Sequence, residues 1–216
     1  MAHSRSTITT LTEETLVIAV QRLTRRDRDL RKIVRDYGPP PLWARPPGVA
    51  SLAKIILEQQ VSLASGEATY QRLRKALPSV APEHLLTLDD DAMRACTISR
   101  QKTRYLRILA EAVLKGTLDL EALGKQSDED VAKQLMHLTG IGQWTADVYR
   151  LMCLARPDIW PCGDVALAKA LQEVKQLSKR PSLEAQLDIA QSWRPYRAAA
   201  ARMLWHHYLC KRGRKA

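Results

Sequence analysis

Along almost its whole length this chain places apolar residues three and four apart, and nowhere do they alternate with polar ones. That spacing puts one apolar stripe along a helix and cannot line one face of a strand. Leu16, Val20 and Leu23 form one stripe, with Thr10 and Glu13 spaced as a capping box ahead of it. Leu52, Ile55, Ile56 and Gln59 form a second, and Tyr70, Leu73 and Leu77 a third, with a break near residues 62–66. Residues Arg100–Leu114 read as a long amphipathic helix, with Tyr105, Ile108, Leu109 and Val113 inward and Arg100, Lys102, Arg104 and Arg107 on a basic face. Ser127 is placed to cap a helix carrying Val131, Leu135 and Leu138. Trp144, Val148, Leu151, Met152 and Ala155 make another stripe, and two further helices fit Leu183–Trp193 and Tyr196–Leu209. The expected fold class is all-α.

One passage interrupts this pattern. Pro39, Pro40, Pro41, Pro46, Pro47 and Gly48 cannot continue a helix, because proline lacks the N–H and restricts the residue before it. The passage reads as a linker between two packing units, with Trp43 anchored inside it.

Charge narrows the partner. Lys and Arg number 34 against 23 Asp and Glu, a net +11 over 216 residues. An excess of that size favours a polyanion, nucleic acid before an acidic membrane. No stretch approaches the ~18 apolar residues a membrane span needs. The first ten residues lack an apolar signal core, so a cytoplasmic location is expected, at the nucleoid if the source is bacterial. Cys96, Cys153, Cys162 and Cys210 form no C-x-x-C pair and no zinc-spaced cluster with histidine, so they read as small buried hydrophobes and no cofactor is required.

The segment richest in chemistry is Leu138-Thr139-Gly140-Ile141-Gly142-Gln143-Trp144-Thr145-Ala146-Asp147. A helix ends, two glycines follow one residue apart, and a new amphipathic helix starts at once. Such glycines let the backbone take positive φ and approach another molecule. The unpaired N–H groups and the positive dipole end of the new helix suit a phosphate. Ile141 would fill the hairpin core while Gly142, Gln143 and Thr145 face the anion. A tight helix–helix turn without a ligand explains the glycines equally well, and the net charge weighs toward phosphate. Asp147 falls inside the new helix, where it reads as solvated or as backbone support.

These residues resemble the helix–hairpin–helix DNA glycosylase superfamily, in the branch of the 3-methyladenine DNA glycosylase II, alkylpurine-excising type. The hairpin carries the likeness, together with Trp160-Pro161-Cys162-Gly163-Asp164-Val165, Leu57-Glu58-Gln59-Gln60-Val61-Ser62 and Trp193-Arg194-Pro195-Tyr196-Arg197. The resemblance implies two small helical subdomains, one from residues 1–45 and 162–216 and one, with the hairpin, from residues 46–161, and an active-site cleft between them, in a compact form without an added β domain. It implies a monofunctional hydrolase acting as a monomer on double-stranded DNA containing alkylated bases, in base excision repair.

The family's aspartate falls at Asp164, 22 residues beyond Gly142. There a carboxylate would stabilise the oxocarbenium character of the sugar. Asp164 also stands where a helix N-cap would, and one residue can serve both ends. Relatives that cut the strand use a lysine two residues after the second hairpin glycine. This chain has Trp144 there, so no Schiff base is expected. Trp144 and Trp205, with Trp43 and Trp160 as further candidates, match pocket aromatics that would stack a cationic base, although both Trp144 and Trp205 also fit core stripes. The family's Tyr four residues after the hairpin Trp is Val148 here, which implies a roomier pocket. Gln60 matches the wedge that fills the gap left by a flipped nucleotide, with Gln59 in support, and is equally read as a surface glutamine. Arg100, Lys102 and the tail from Lys211 to Lys215 would track phosphates, or simply face water. Backbone carbonyls of Met136, Leu138 and Ile141 match positions that hold a structural Na+ or K+. The competing class is a non-catalytic helix–hairpin–helix module that only grips DNA. A lyase acting through another lysine, such as Lys169, is the third.

Overall fold

The computed structural model describes residues 10–213. Among them are twelve α-helices, one 3-10 helix and no strand, the all-α class that the spacing implies. The chain forms two compact units, one running up to Ala44 and resuming at Ala155, the other spanning Arg45–Leu154. The first crossing falls inside the proline-rich passage. Residues 155–161, expected with the hairpin unit, pack with the other one: Leu11 N–H donates to the Ala155 carbonyl at 2.8 Å, and Ala198 N–H to that of Pro157 at 3.0 Å.

The continuous unit is built on α3 (Val49–Glu58), whose Leu52, Ala53, Ile55, Ile56 and Leu57 are fully buried. It packs against α4 (Leu63–Ala76), α7 (Arg100–Leu114) and α9 (Gln143–Met152). Two single-turn helices, α5 (Pro82–Thr87) and α6 (Asp90–Ala95), lie on α7, and α8 (Asp128–Met136) packs on α9. Arg45 clasps the α3 C-terminus through a bidentate pair with Glu58, at 2.8 and 2.9 Å, which fixes where the chain enters the unit. The seam of α7 is turned from its expected line: Leu106, Leu109, Ala110 and Ala112 are buried, while Tyr105, Ile108 and Val113 are half-buried.

The discontinuous unit holds α1 (Glu13–Arg26), α2 (Arg28–Tyr37), α10 (Val165–Val174), α11 (Leu183–Gln191) and α12 (Arg197–Cys210). Residues 198–204 of α12 are buried all round, so this helix is the unit's core, touching α1, α2 and α10. It lacks a side-chain cap of its own. Asp158 supplies one from 39 residues upstream, accepting from Arg197 N at 3.3 Å and from its Nε at 2.9 Å.

At α1 the capping box is Thr12 with Thr15, two residues later than expected. Thr12 Oγ1 accepts from Thr15 N–H at 3.2 Å, and Thr15 Oγ1 from Thr12 N–H at 2.7 Å, so a hydroxyl does the reciprocal work expected of Glu13. Helix α2 follows directly because Asp27 stops α1 and caps α2, accepting from Asp29 and Leu30 N–H. The Asp27 carboxylate also accepts from Lys175 Nζ at 2.7 Å and Trp193 Nε1 at 2.8 Å. Burial there favours the protonated acid, but those two donors overcome it and hold Asp27 below the usual carboxylate range.

Cys96 and Cys153 are buried, Cys162 and Cys210 half-buried. Burial pushes the Cys153 thiol up to about 12, as befits an inert packing residue.

Candidate active site and nucleic-acid interface

The hairpin forms because α8 ends at Met136 and only residues 137–142 separate it from α9. Its two glycines do different work. Gly140 has φ +96°, and a Cβ built there would lie 2.2 Å from Tyr105 Cγ, so the backbone rests directly on the Tyr105 ring. Gly142 has φ −97° with nothing within 4 Å of a built Cβ. Gly142 therefore does not serve a positive φ, and it leaves open space on its outer side. As the N-cap of α9 it contributes no side-chain bond, so the positive end of the helix dipole lies open at an exposed glycine.

Ile141 is buried in the hairpin core as expected. Gln143 is exposed and donates to Asp147 Oδ1 at 2.7 Å. Thr145 does not face outward: it is 2% exposed, and its Oγ1 accepts from Gln59 Nε2 at 2.9 Å. Asp147 is not solvated either. It is buried against Arg150, which also donates to the Asp128 carbonyl at 2.9 Å. Trp144 is half-buried on the rim of this unit's core.

Gln59 and Gln60 lie just past α3 and behave differently. Gln59 turns inward, its amide also donating to the Gly140 carbonyl at 2.9 Å. Gln60 is exposed at φ +55°, a conformation non-glycine residues adopt at a cost of about 1 kcal/mol or more. Val61 and Leu63 beside it are 44% and 54% exposed, making this turn an apolar, protruding rim. Arg100 and Arg104 are exposed on α7. Lys102 is not on that open face: its Nζ donates to the carbonyls of Leu57 at 2.7 Å and Gln59 at 2.9 Å. Of the basic tail, Arg214 and Lys215 lie outside the described residues.

In the other unit Asp164 is the N-cap of α10. Its Oδ1 accepts from Leu167 N–H at 2.7 Å and from Trp205 Nε1 at 3.2 Å. Capping and indole contact together fix the carboxylate to α10 and α12. Trp205 is half-buried, and one residue on, His206 brings its ring within 6.5 Å of the Trp43 ring. Trp43 has φ +50°, and the preceding carbonyl, of Leu42, is held by buried Arg202 Nε at 2.7 Å. Trp160 has no such openness: it is 3% exposed and packs on Trp193 with ring centroids 5.6 Å apart, which makes it a core residue. The unit therefore gathers a carboxylate and two indoles around one helix, α12.

Sequence reasoning misses Tyr105 and Arg202. The spacing marks Tyr105 only as core, yet what it supports is a glycine 35 residues away in sequence. Among the described residues no three His, Cys, Asp or Glu side chains gather as a metal site, and no helix is long and apolar enough to cross a membrane.

Known proteins resemble this chain in sequence and in fold. The sequence family described as HhH-GPD superfamily base excision DNA repair protein matches residues 53–195. The chain is 29% identical over 162 residues to the putative DNA-3-methyladenine glycosylase YfjP of Bacillus subtilis, covering 71% of this chain and 56% of that protein. It is 27% identical over 180 residues to DNA-3-methyladenine glycosylase 1 of Schizosaccharomyces pombe, covering 82% and 79%. The S. pombe 3-methyladenine DNA glycosylase solved in complex with abasic DNA superposes with a TM-score of 0.81 at 26% identity, over 87% of this chain and 95% of that one. A DNA-3-methyladenine glycosidase from Bacillus halodurans gives 0.71 at 27% identity, over 93% and 91%. This chain belongs to the HhH-GPD superfamily of base excision DNA repair proteins.

Proposed function

We propose that this protein is a monofunctional DNA glycosylase, which turns an alkylated base such as 3-methyladenine out of duplex DNA and hydrolyses its N-glycosidic bond, leaving an abasic site. The observation that carries this reading is the Asp164 carboxylate, held by an α10 backbone N–H and the Trp205 indole. Alkylation makes the base cationic, so it departs neutral with the bonding electron pair. The sugar left behind carries positive charge at C1′, which a fixed carboxylate stabilises more than it does the ground state. Water then adds at C1′ and its proton passes to the Asp164 carboxylate. The names of the relatives support the substrate class.

In this reading the Gly142 end of α9 takes a backbone phosphate, with Arg100 and Arg104 adding phosphate contacts. Gln60, on its exposed turn, fills the space the base vacates. The half-buried indoles of Trp205 and Trp43, in the unit that carries Asp164, stack the cationic base. Trp144 stands where a lyase would carry its lysine, so borohydride traps no covalent adduct. The carbonyls of Met136, Leu138 and Ile141 lie at and beyond the C-terminus of α8, where a helix leaves its last carbonyls without intrahelical donors; Leu138 O accepts from Ile141 N–H at 3.1 Å, across the turn. Carbonyl oxygens suit Na+ or K+, which would add positive charge beside the phosphate. The enzyme works as a monomer in the cytoplasm, on the nucleoid if the source is bacterial.

Asp164→Asn tests the assignment, since asparagine caps a helix as well as aspartate. Release of methylated bases from duplex DNA falls by about 1,000-fold or more, while DNA affinity and thermal midpoint stay near wild type. Base release unchanged in this variant would take Asp164 out of the reaction, and no base release from the wild-type protein would leave a non-catalytic DNA-gripping module as the better reading.

A further inference from the structure

The wedge turn and the hairpin are tied together by two side chains that sequence position suggests for DNA contact. Lys102 donates to the carbonyls of Leu57 and Gln59, capping the C-terminus of α3 with a positive charge where the helix dipole is negative. The Gln59 carbonyl belongs to the peptide that leads into Gln60, so the ammonium fixes the plane from which Gln60 departs. The Gln59 amide then reaches across to the Gly140 carbonyl and Thr145 Oγ1, one on each side of the hairpin turn. One turn along α7 from Lys102, the Tyr105 ring carries Gly140. A single helix thus supports the wedge turn with one residue and the hairpin with another. The Lys102 ammonium is partly desolvated, and burial holds its pKa below the ordinary lysine value.

We propose that Lys102 and Gln59 are positioning residues that lock the Gln60 turn onto the hairpin, so that gripping the phosphate and inserting the wedge occur as one rigid movement. Without the brace, Gln60 would leave its left-handed conformation for a commoner one and would have to be reordered at each insertion. Neither residue touches the DNA. The inference rests on the glycosylase reading only for the role of Gln60.

The test is a double-mutant cycle on the full chain. Lys102→Met, Gln59→Ala, Gln60→Ala and the doubles with Gln60→Ala bind a duplex carrying 2-aminopurine beside the lesion, whose fluorescence reports flipping. Each brace variant should reduce flipping about ten- to hundredfold and add nothing further in the Gln60→Ala background. The slope of log affinity against log salt should match wild type, whereas a lost phosphate contact would lower it by about 0.9. Additive losses with Gln60→Ala, or a reduced slope for Lys102→Met, overturn the proposal. Should Lys102→Met fail to fold, Gln59→Ala decides the cycle alone, because it removes a neutral amide and no charge. Flipping is read without base release, so a wild-type protein that flips but frees no base would refute the glycosylase reading, while the cycle still decides the brace.

Discussion

At the scale of single residues, what distinguishes this chain is where hydrogen-bond donors are directed. Trp205 could have been a plain packing residue, as its place in an apolar stripe allows, yet its N–H points at Asp164 Oδ1. Trp205→Phe keeps most of the ring and deletes that donor. Base release should fall by about tenfold, with the thermal midpoint little changed, because a charge-assisted hydrogen bond is worth roughly 1.5–3 kcal/mol. Unchanged single-turnover rates would show that the Trp205 N–H does not position the carboxylate. Lys102 is the opposite case. Its charge and its place on a basic face suggest phosphate contact, and only the packing of α7 against α3 reveals that carbonyls are its partners.

Elements bring out why some of this is legible in the sequence and some is not. Helix α7 is readable to its ends because Ser99 caps it and its apolar positions repeat for four turns. Helix α2 is not. Its cap, Asp27, sits in the run Arg25-Arg26-Asp27-Arg28, where a single acid looks like charge balance and not a boundary. The seam of α7 is misjudged by a fraction of a turn because Tyr105 and Ile108 are apolar enough to draw the stripe toward them. In the hairpin the two glycines look equivalent, and only backbone geometry separates them. Gly140→Ala should cost about 2–4 kcal/mol, combining an unfavourable φ with a clash on Tyr105. Gly142→Ala should leave urea denaturation unchanged and weaken duplex binding, since its Cβ meets nothing within the chain. Equal destabilisation by the two would contradict this division of labour.

At the scale of the whole molecule, α10 and the chain just beyond α12 are held together by charge as well as by packing. Glu173 on α10 pairs with Arg212 Nη2 at 2.8 Å and Lys211 Nζ at 3.3 Å, just beyond α12. Burial pushes its carboxyl up, but Arg212 and Lys211 outweigh that and hold it at about 2, against an ordinary glutamate near 4.5. A depressed acid lends stability that is fully present above about pH 4.5 and is lost as pH falls through about 2. The urea midpoint should therefore drop across that interval, and Glu173→Gln should flatten the drop while lowering the neutral-pH value. A Gln variant with an unaltered acid profile would assign the loss to other carboxylates.

The interleaving of the units bears on how the polypeptide is made. A ribosome emits α1 and α2 first, but the helix that covers their apolar faces, α12, emerges some 160 residues later. The segment from Arg45 to Leu154, a compact unit in itself, is complete as soon as α9 and Leu154 clear the exit tunnel. Leu16, Val20, Leu23, Leu30 and Ile33 meanwhile lack α12 and have only the packing of α1 on α2 to shield them. Newly made protein is thus most exposed to aggregation in the interval before α12 arrives, a vulnerability set by connectivity and independent of how stable the finished molecule becomes.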